Sequence, residues 1–398
     1  MGMHSLHVCI ITGQPLANLI PLLQERPETI CLVHSDDMHE AAQAFSHTLE
    51  QAGFSPSQIL VRGALPTHPY DEIRLFAMGL RDDLGELYPD ARLTWHATGG
   101  TKMMALAFWD VLYRDRDRVI YTETRDGVIE ELIPESGAKQ LESVLTPELY
   151  LDALGKLKRR ADSDREQWCE SAVARKQATR FLAENAEALG GLIQLFNRSL
   201  DADAGQLQHL RIERAGGQWR SALTLLIEAG VLDGGEDGQY HTVRSDSARY
   251  LTGGWLEEYV WYIATQQGLD FVQSGLKFGD RAHRKEGQDN EIDTFIMHRN
   301  RLLLVECKSG YLGRDARKDG DIIYKLDSIG LHAGGTQATK LLIAAQPLQH
   351  ETKAGRKVDT RARATATGIY TLECAGLKKL GESLRYWRDQ GRWQGIDS

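Results

Sequence analysis

The sequence contains few cysteines, and they do not form a recognisable motif. Five cysteines are scattered over 398 residues, and no two of them stand in CxxC spacing. An odd, scattered set argues against both a zinc site and a disulfide framework. It predicts a protein of the reducing cytoplasm. The cysteines are Cys9, Cys31, Cys169, Cys307 and Cys374.

Long apolar stretches are missing as well. No run approaches the roughly 18 residues that a membrane-spanning helix needs. The N-terminus, Met-Gly-Met-His-Ser, lacks the basic segment of a signal peptide. We therefore expect no membrane partner. A hydrophobic content of 42% is typical of a soluble globular protein, and the length fits two or three domains.

Positive charge is scarce overall, and the net charge is −9. The first 150 residues hold 11 basic and 22 acidic side chains, a net charge of −11, so the remainder carries +2. Basic residues in that remainder favour contact with a phosphate backbone. A mixed solvated surface is the alternative, because acidic residues are interspersed. The basic residues are Lys277, Arg281, Arg284, Lys285, Arg314, Arg317, Lys318, Lys325, Lys353, Arg356, Lys357, Arg361 and Arg363.

The most informative segment lies between Gln288 and Gly310. Two strand-like runs, Ile292–Met297 and Leu302–Cys307, are separated by a polar turn that contains Asn300. Apolar runs joined by such a turn are typical of a β-hairpin.

Three charged residues stand on this hairpin. Glu306 and Lys308 are two positions apart, so their side chains leave the same face of the second strand, and Asp293 lies in the neighbouring strand. Burying such groups is costly unless a metal or mutual pairing compensates. Phosphodiester hydrolysis uses this set, because carboxylates hold Mg²⁺ or Mn²⁺ and the ammonium stabilises negative charge. The alternative is a surface hairpin with alternating charges.

With its Asp 13 positions before Glu-Cys-Lys, the segment resembles the core of the PD-(D/E)xK nuclease superfamily. The resemblance implies that Asp293 and Glu306 are metal ligands and that Lys308 is the catalytic lysine. The superfamily also carries a glutamate on its first core helix. Two glutamates open the corresponding helix here. Glu257 is the position that we match, with Glu258 as the alternative and Glu291 as a further candidate.

The first 135 or so residues alternate short β-rich runs with helical patterns. This rhythm predicts a parallel, Rossmann-like sheet with helices on both faces. A final hairpin strand, Val128–Ile133, follows Asp126-Gly127. The other predicted strands are Leu6–Thr12, Thr29–Ser35, Ile59–Ala64, Leu93–Thr98 and Val119–Thr124, and the predicted helices lie near Leu16–Leu23, Asp37–Gln51, Tyr70–Leu87 and Lys102–Tyr113.

Two glycine-containing turns follow strands of this predicted sheet. Residues 98–102 read Thr-Gly-Gly-Thr-Lys, and residues 12–14 read Thr-Gly-Gln. Glycines let backbone amides approach a ligand, and a helix N-terminus with Lys102 favours an anion. Ligands of doubly wound sheets bind beyond the carboxyl ends of the strands, where these turns would lie. Neither the Walker A spacing nor GxGxxG is present, and a plain strand–helix turn is the alternative.

Together the two turns resemble those of the CARF domains of CRISPR-associated proteins, in which a TGGTK turn contacts a cyclic oligoadenylate. Asn18 and Ser35 are further candidates at neighbouring positions. An Asn commonly stands two places before the first Thr of that turn, and this chain departs from the pattern with His96. The implied pocket residues are Thr12, Gly13, Gln14, Thr98, Gly99, Gly100, Thr101 and Lys102.

Residues 151–250 differ in character. The segments Leu151–Leu157, Trp168–Ala188 and Leu192–Leu200 look helical. A further helix ending at Gly230 precedes an apolar strand and a Gly-rich turn, which predicts a helical or winged-helix-like connector. We favour a spacer role for it over DNA binding.

The remaining residues follow an α–β–β–β–α–β order that suits a nuclease core. A helix begins after Gly253. Strands are predicted around Asp270–Gln273, in the hairpin, at Lys340–Ala345 and at Ile369–Leu372. The whole chain is therefore predicted as α/β, with a CARF domain over 1–150, a connector over 151–250 and a nuclease domain over 251–398.

This order resembles the ancillary nucleases of type III CRISPR systems, which cyclic tetra-adenylate activates. Lys325–Gly330 and Gly334-Gly335 also look like that family. The resemblance implies a nuclease that uses Mn²⁺ or Mg²⁺ on DNA or RNA. It also implies a homodimer, because the cyclic tetranucleotide is itself symmetric. Two other hypotheses remain: a ligand-sensing transcriptional regulator with a non-catalytic C-terminal domain, and a nucleotide-cofactor enzyme, against which the missing GxGxxG argues.

Overall fold

The computed structural model describes residues 4–112, 117–203, 206–213, 215–281, 289–312, 316–334, 338–351 and 357–394. Several residues of the predicted basic and family-like segments therefore lie outside the described residues, namely Arg284, Lys285, Arg314, Gly335, Lys353 and Arg356. The chain divides into two compact units. The first is Met1–Lys158 with Asp280–Arg284 and Arg299–Arg301, and the second is Arg159–Gly279 with Lys285–His298 and Leu302–Ser398.

The first unit contains a seven-stranded sheet with helices between its strands. The strands are β1 (Ser5–Ile10), β2 (Thr29–Val33), β3 (Ile59–Arg62), β4 (Arg92–His96), β5 (Arg118–Glu123), β6 (Val128–Ile133) and β7 (Gly137–Gln140). The helices are α1 (Leu16–Glu25), α2 (His39–Gln51), α3 (Tyr70–Leu87), α4 (Lys102–Leu112) and α5 (Pro147–Ala153). The strand order is β3-β2-β1-β4-β5-β6-β7. Strands β1 to β5 are parallel, and β6 and β7 are antiparallel.

The predicted Rossmann-like sheet is confirmed. All five residues of β2 are buried, as expected for a parallel strand covered by helices on both faces. The strand β7 was not predicted, because its residues Gly-Ala-Lys-Gln are all exposed and carry no apolar alternation. The predicted helix Leu151–Leu157 was wrong in its second half: α5 ends at Ala153, Gly155 adopts a positive φ of 71°, and a strand begins at Lys156.

The second unit begins with the predicted connector. Its helices are α6 (Glu166–Ala174), α7 (Lys176–Glu184), α8 (Gly190–Ser199) and α9 (Gln218–Glu228). A three-stranded antiparallel sheet accompanies them, built from β9 (His209–Arg211), β10 (Leu232–Gly234) and β11 (Gln239–Thr242) in the order β10-β11-β9. The single helix predicted over Trp168–Ala188 is in fact two. They divide at Arg175, whose buried side chain is held by Glu258 and Asp246.

The nuclease-like part of this unit follows the predicted α–β–β–β–α–β order. After a short helix, α10 (Ser247–Arg249), come α11 (Trp255–Thr265), β12 (Phe271–Asp280), β13 (Asn290–His298), β14 (Arg301–Lys308), α12 (Ala316–Gly334) and β15 (Thr339–Ala344). A small hairpin of β16 (Gln349–Glu351) and β17 (Lys357–Asp359) precedes α13 (Thr360–Ala366), β18 (Ile369–Leu372) and α14 (Leu380–Gln390).

Its central sheet has the order β18-β15-β14-β13-β12-β8. The edge strand β8 comprises Lys156–Arg160, and the boundary between the two units falls within it. Strand β12 extends well beyond the predicted Asp270–Gln273 and pairs antiparallel with β13. Strand β14 pairs parallel with β15. One apolar core joins the connector helices to this sheet, from Leu182 through Trp255 to Trp387. No helix in the described part of the chain is both long and apolar enough to span a membrane.

Candidate active site and ligand-binding turns

The predicted hairpin consists of β13 and β14, which are joined by a two-residue turn. Arg299 and Asn300 have positive φ values of 49° and 61°, as a type I′ turn requires. Counting outward from such a turn places Asp293 opposite Glu306. A hydrogen bond agrees with this register, because Asp293 Oδ2 accepts from the backbone N–H of Cys307 at 2.6 Å.

Three charged side chains of the hairpin meet. The Lys308 Nζ atom lies 2.7 Å from Glu306 Oε1 and 3.9 Å from Asp293 Oδ2. A second lysine, Lys325 of α12, places its Nζ atom 3.6 Å from the same Glu306 oxygen. Sequence spacing gives no indication of the Lys325 contact, since it depends on how α12 packs on the sheet.

The two glutamates at the start of α11 have different surroundings. Glu258 Oε1 accepts a hydrogen bond from Arg175 Nη2 at 2.5 Å, and both side chains are buried. Glu257 instead belongs with the hairpin charges: burial and then the charge of Asp293 raise its pKa to about 8, against an opposing effect of Lys308. Glu257 therefore lies on a helix that packs against β13, and Glu258 forms a separate ion pair with Arg175. The role of Glu257 as the superfamily glutamate stays a prediction.

The carboxylates are crowded. Burial, followed by the charge of Glu306, raises the pKa of Asp293 to about 6. Burial lowers the pKa of Lys308, but the carboxylates of Glu306 and Asp293 outweigh it and raise that pKa above its ordinary value. Burial and the repulsion between neighbouring carboxylates therefore oppose ionisation of Asp293, while the same carboxylates hold Lys308 in its charged form.

The donor set fits a hard divalent cation. Glu306 Oε2 is buried without a hydrogen-bond partner among the described residues, and a buried oxygen of this kind requires a partner. Asp293 and Glu306 offer the oxygen ligands that Mg²⁺ and Mn²⁺ prefer. Within the described ranges, no group of three or more His, Cys, Asp or Glu side chains surrounds a common metal position. That result is compatible with Mg²⁺, which usually keeps several waters and takes one or two carboxylates.

Glu291, the further candidate, lies at the edge of this site. Its carboxylate is 2.9 Å from Lys277 Nζ and 3.8 Å from Arg249 Nη2. Ion pairs also engage two other residues of the predicted basic set, Arg281 with Asp152 and Arg361 with Glu373. Contact between this basic set and a phosphate backbone stays a prediction. Lys325, a member of the set, reaches the carboxylate of Glu306.

The two predicted ligand turns of the first unit lie side by side. Strand β1 has β2 on one side and β4 on the other, so the sheet reverses its winding between β1 and β4. The parallel register pairs Cys9 with His96, which brings the carboxyl ends of the two strands level. Residues 12–14 and 98–102 therefore lie at the same edge of the sheet, on either side of the crevice expected at such a switch point.

Glycine is required at the second turn. A Cβ atom on Gly99 would collide with the carbonyl oxygen of Ile10, and Gly100 has a φ of 83°. Thr101 Oγ1 accepts a hydrogen bond from Met104 N–H at 3.3 Å and so caps α4. Lys102 follows as an exposed first residue of that helix. The turn thus presents a helix N-terminus and a cation to the crevice.

The other predicted residues have mixed surroundings. Gly13 and Gln14 are exposed and Thr12 is half-buried, whereas Thr98 Oγ1 accepts from the N–H of Thr122 at 2.7 Å. The remaining candidates are engaged in the fold. Asn18 is 2% exposed and donates a hydrogen bond to the carbonyl of Ile10. The Ser35 carbonyl accepts a hydrogen bond from His34 Nδ1. His96 is wholly buried, and its Nε2 atom lies 3.0 Å from His7 Nδ1.

Two family models match the chain. The Card1 CARF domain matches residues 6–150, and the Card1-like endonuclease domain matches residues 244–388. The chain therefore combines an N-terminal CARF domain with a C-terminal Card1-like endonuclease domain. The predicted resemblance is confirmed at this level.

Solved structures are similar over nearly the whole chain. Can2 from Sulfobacillus thermosulfidooxidans, solved in complex with cyclic tetra-adenylate, has 21% identity and a TM-score of 0.76, with 97% of this chain and 98% of that chain covered. Protein VC1899 from Vibrio cholerae has 20% identity and a TM-score of 0.80, covering 98% and 100%. A type III CRISPR defence DNA nuclease activated by cyclic oligoadenylate has 15% identity and a TM-score of 0.52, covering 86% and 46%. A comparison with curated proteins found no match.

The two glutamates of α11 give a direct test of the site. Glu257→Gln should lower cleavage by about two orders of magnitude without lowering the melting temperature, because an amide cannot exchange a proton with the attacking water as a carboxyl group can. Glu258→Gln should lower the melting temperature and leave cleavage by the folded protein largely intact, because breaking a buried pair with Arg175 costs about 3–5 kcal/mol. Cleavage rates and thermal unfolding of both variants measure this. Equal loss of activity in the two folded variants would contradict the assignment.

Proposed function

We propose that this protein is a metal-dependent nuclease that cyclic tetra-adenylate switches on. The observation that carries the nuclease proposal is the buried set of Asp293, Glu306 and Lys308 with an unpartnered oxygen on Glu306. The endonuclease family match supports the same reaction class. A regulator with an inert C-terminal domain has no need of buried carboxylates with an unpartnered oxygen.

Each residue has a distinct role in the proposed reaction. Asp293 and Glu306 would hold Mg²⁺ or Mn²⁺, and the cation supplies Lewis-acid polarisation of the phosphate and activation of a water. Lys308, placed between the carboxylates, would stabilise the negative charge that develops on the phosphate. Glu257, with its pKa raised to about 8 by burial and Asp293, would help to orient the water. Lys325 approaches Glu306 from α12 and adds a second positive charge.

A cleavage assay with a matched acid tests the metal site. Glu306→Ala should abolish cleavage of plasmid DNA and single-stranded RNA in Mn²⁺ or Mg²⁺ with cyclic tetra-adenylate, because it removes the buried ligand. Glu291→Ala, on the same hairpin but paired with Lys277, should retain activity. Affinity for cyclic tetra-adenylate should be unchanged in both. Substantial cleavage by Glu306→Ala under matched conditions would remove Glu306 from the site.

The proposed activator site is the crevice between residues 12–14 and 98–102. Can2, a protein of similar fold, was solved with cyclic tetra-adenylate, and the CARF match covers this unit. Although the first 150 residues are acidic overall, they would bind the phosphates of the cyclic nucleotide at one place. The contacts would come from backbone amides at the start of α4 and from Lys102. By binding the active arrangement more tightly than the inactive one, the ligand would shift the population toward cleavage.

Lys102→Ala tests the activator site. A charge-assisted hydrogen bond contributes roughly 1.5–3 kcal/mol, and a symmetric dimer loses two, so affinity should fall by several orders of magnitude. Cleavage should fall at limiting activator and recover at least partly at high activator. Lys139→Ala, which removes another exposed lysine of the same unit, is the control. Calorimetry with cyclic tetra-adenylate on the three proteins measures this, and equal affinities for wild type and Lys102→Ala would place the ligand elsewhere.

We further propose a homodimer formed through α3 and α4. These helices pack together and expose an apolar surface next to the Lys102 turn. The Arg74–Asp110 ion pair, at 2.9 Å, brings the Leu75 region of α3 beside the C-terminal part of α4. Large exposed apolar patches mark interaction surfaces. This α3–α4 patch consists of Leu75 (66% exposed), Met78 (37%), Met103 (42%), Leu106 (64%) and Trp109 (41%).

Leu106→Asp tests the proposed dimer. A charge at the centre of an apolar contact should convert the dimer to a monomer, and activation by cyclic tetra-adenylate should weaken with it. Leu87→Asp is the matched control, because Leu87 is 56% exposed on α3 but lies about 120° around the helix from Leu75. Sedimentation of both variants measures the mass. An unchanged dimer in Leu106→Asp would place the interface on another face.

A further inference from the structure

A cavity of about 350 Å³ opens beside Glu257 in the second unit. The volume falls within the range of pockets that hold small organic groups, roughly 300–1,000 Å³. Helix α6, helix α10 and the start of α11 supply its walls, so it extends from the carboxylates of the proposed active site toward the connector. Principal lining residues are Arg165, Trp168, Arg175, Arg249, Tyr250 and Glu257.

Part of this wall is rigid. The Arg175 guanidinium pairs with Glu258 and with Asp246 at 3.1 Å, and lies 4.7 Å from the ring centre of Tyr250. The Tyr250 hydroxyl is hydrogen-bonded to Thr179 Oγ1 at 2.9 Å. These groups satisfy one another, which fixes the shape of this part of the cavity without requiring a ligand.

The aromatic wall is Trp168. Its ring stands edge-to-face against Trp261, with centroids 5.1 Å apart and an interplanar angle of 83°, and the residue is half-buried. A tryptophan held in this way is a preformed stacking platform, because its orientation is set before any ligand arrives. Stacking on such a ring is tolerant of base identity.

Two arginines line the cavity with exposed side chains. Arg165 is paired with Asp162 at 2.7 Å. The Arg249 Nη2 atom is 3.8 Å from Glu291 Oε1, which is long for an ion pair. The other oxygen of Glu291 already pairs with Lys277 Nζ at 2.9 Å. The Arg249 guanidinium is therefore weakly engaged, and it is the cation best able to turn toward a phosphate.

We propose that this cavity takes an unpaired nucleotide of the substrate strand, flanking the bond that is cut, with its base against Trp168 and a phosphate at Arg249. The inference rests on the proposed nuclease function, since Glu257 borders both the cavity and the hairpin carboxylates. A base that is stacked and paired within a duplex cannot reach the Trp168 ring in this cavity, so the substrate must be single-stranded or must expose one base. Trp168 and Arg249 are positioning residues in this scheme.

An abasic scan of the substrate tests the proposal with the unaltered protein. Single-stranded DNA and RNA oligonucleotides with one defined cut would carry an abasic residue at each position in turn. Wild type should lose roughly 10- to 100-fold in kcat/KM at one position beside the cut, the size expected of a base–aromatic stack. On the intact strand, Trp168→Ala should lose a similar factor in kcat/KM. An abasic residue at that position should then have no further effect on this variant. Trp168→Phe should regain most of the difference in kcat/KM between intact and abasic strands. Uniform tolerance of abasic residues by wild type, or undiminished sensitivity in Trp168→Ala, would overturn the proposal.

A binding assay separates this inference from the nuclease proposal itself. Fluorescence anisotropy of the same strands with full-length Glu306→Ala should show affinity falling about tenfold on adding Trp168→Ala or Arg249→Ala. Tyr370→Ala, which removes an exposed tyrosine of β18 outside the cavity, should leave it unchanged. Absence of cleavage by wild type would contradict the nuclease proposal. Normal cleavage with no effect of either cavity variant on binding would contradict the cavity proposal alone.

Discussion

An ammonium group among buried carboxylates is the interaction on which the proposed active site depends. Lys308 lies 2.7 Å from one Glu306 oxygen, and the other Glu306 oxygen has no partner among the described residues. Lys308 and Lys325 both lie near Glu306, yet burial and then the charge of Glu306 still raise the pKa of Asp293 to about 6. The hairpin therefore holds two buried carboxylates close together, one of them with an unpartnered oxygen, and a divalent cation is the group that these oxygen ligands would accept.

The sequence was sufficient to predict this hairpin, because strand geometry alone places Glu306 and Lys308 on one face. Asp293 was identified from its position in the neighbouring strand and from the superfamily spacing. The two turn residues with positive φ, which set the register, became visible only in the structure. The choice between Glu257 and Glu258 was beyond the sequence. It depends on Arg175, which is 83 positions before Glu258 along the chain and meets it only in the fold. The approach of Lys325 and the cavity at Trp168 depend on packing in the same way.

The ligand-binding turns were predictable for a different reason. Each is a short glycine-containing motif, and the topology of a doubly wound sheet brings the ends of β1 and β4 together. The tight fit of Gly99 against the Ile10 carbonyl explains why this position needs a residue without a side chain. The predictions that were wrong concern segments with little apolar alternation or with a buried polar interruption, such as β7 and the division between α6 and α7 at Arg175.

Direct measurement of metal binding tests the central claim without relying on cleavage. Calorimetric titration with Mn²⁺ should show one site per chain in wild type and in Lys308→Ala, since the lysine is not a ligand. The same titration should show no such site in Glu306→Ala. If Glu306→Ala binds Mn²⁺ as tightly as wild type, the cation is held elsewhere and the unpartnered Glu306 oxygen has another purpose.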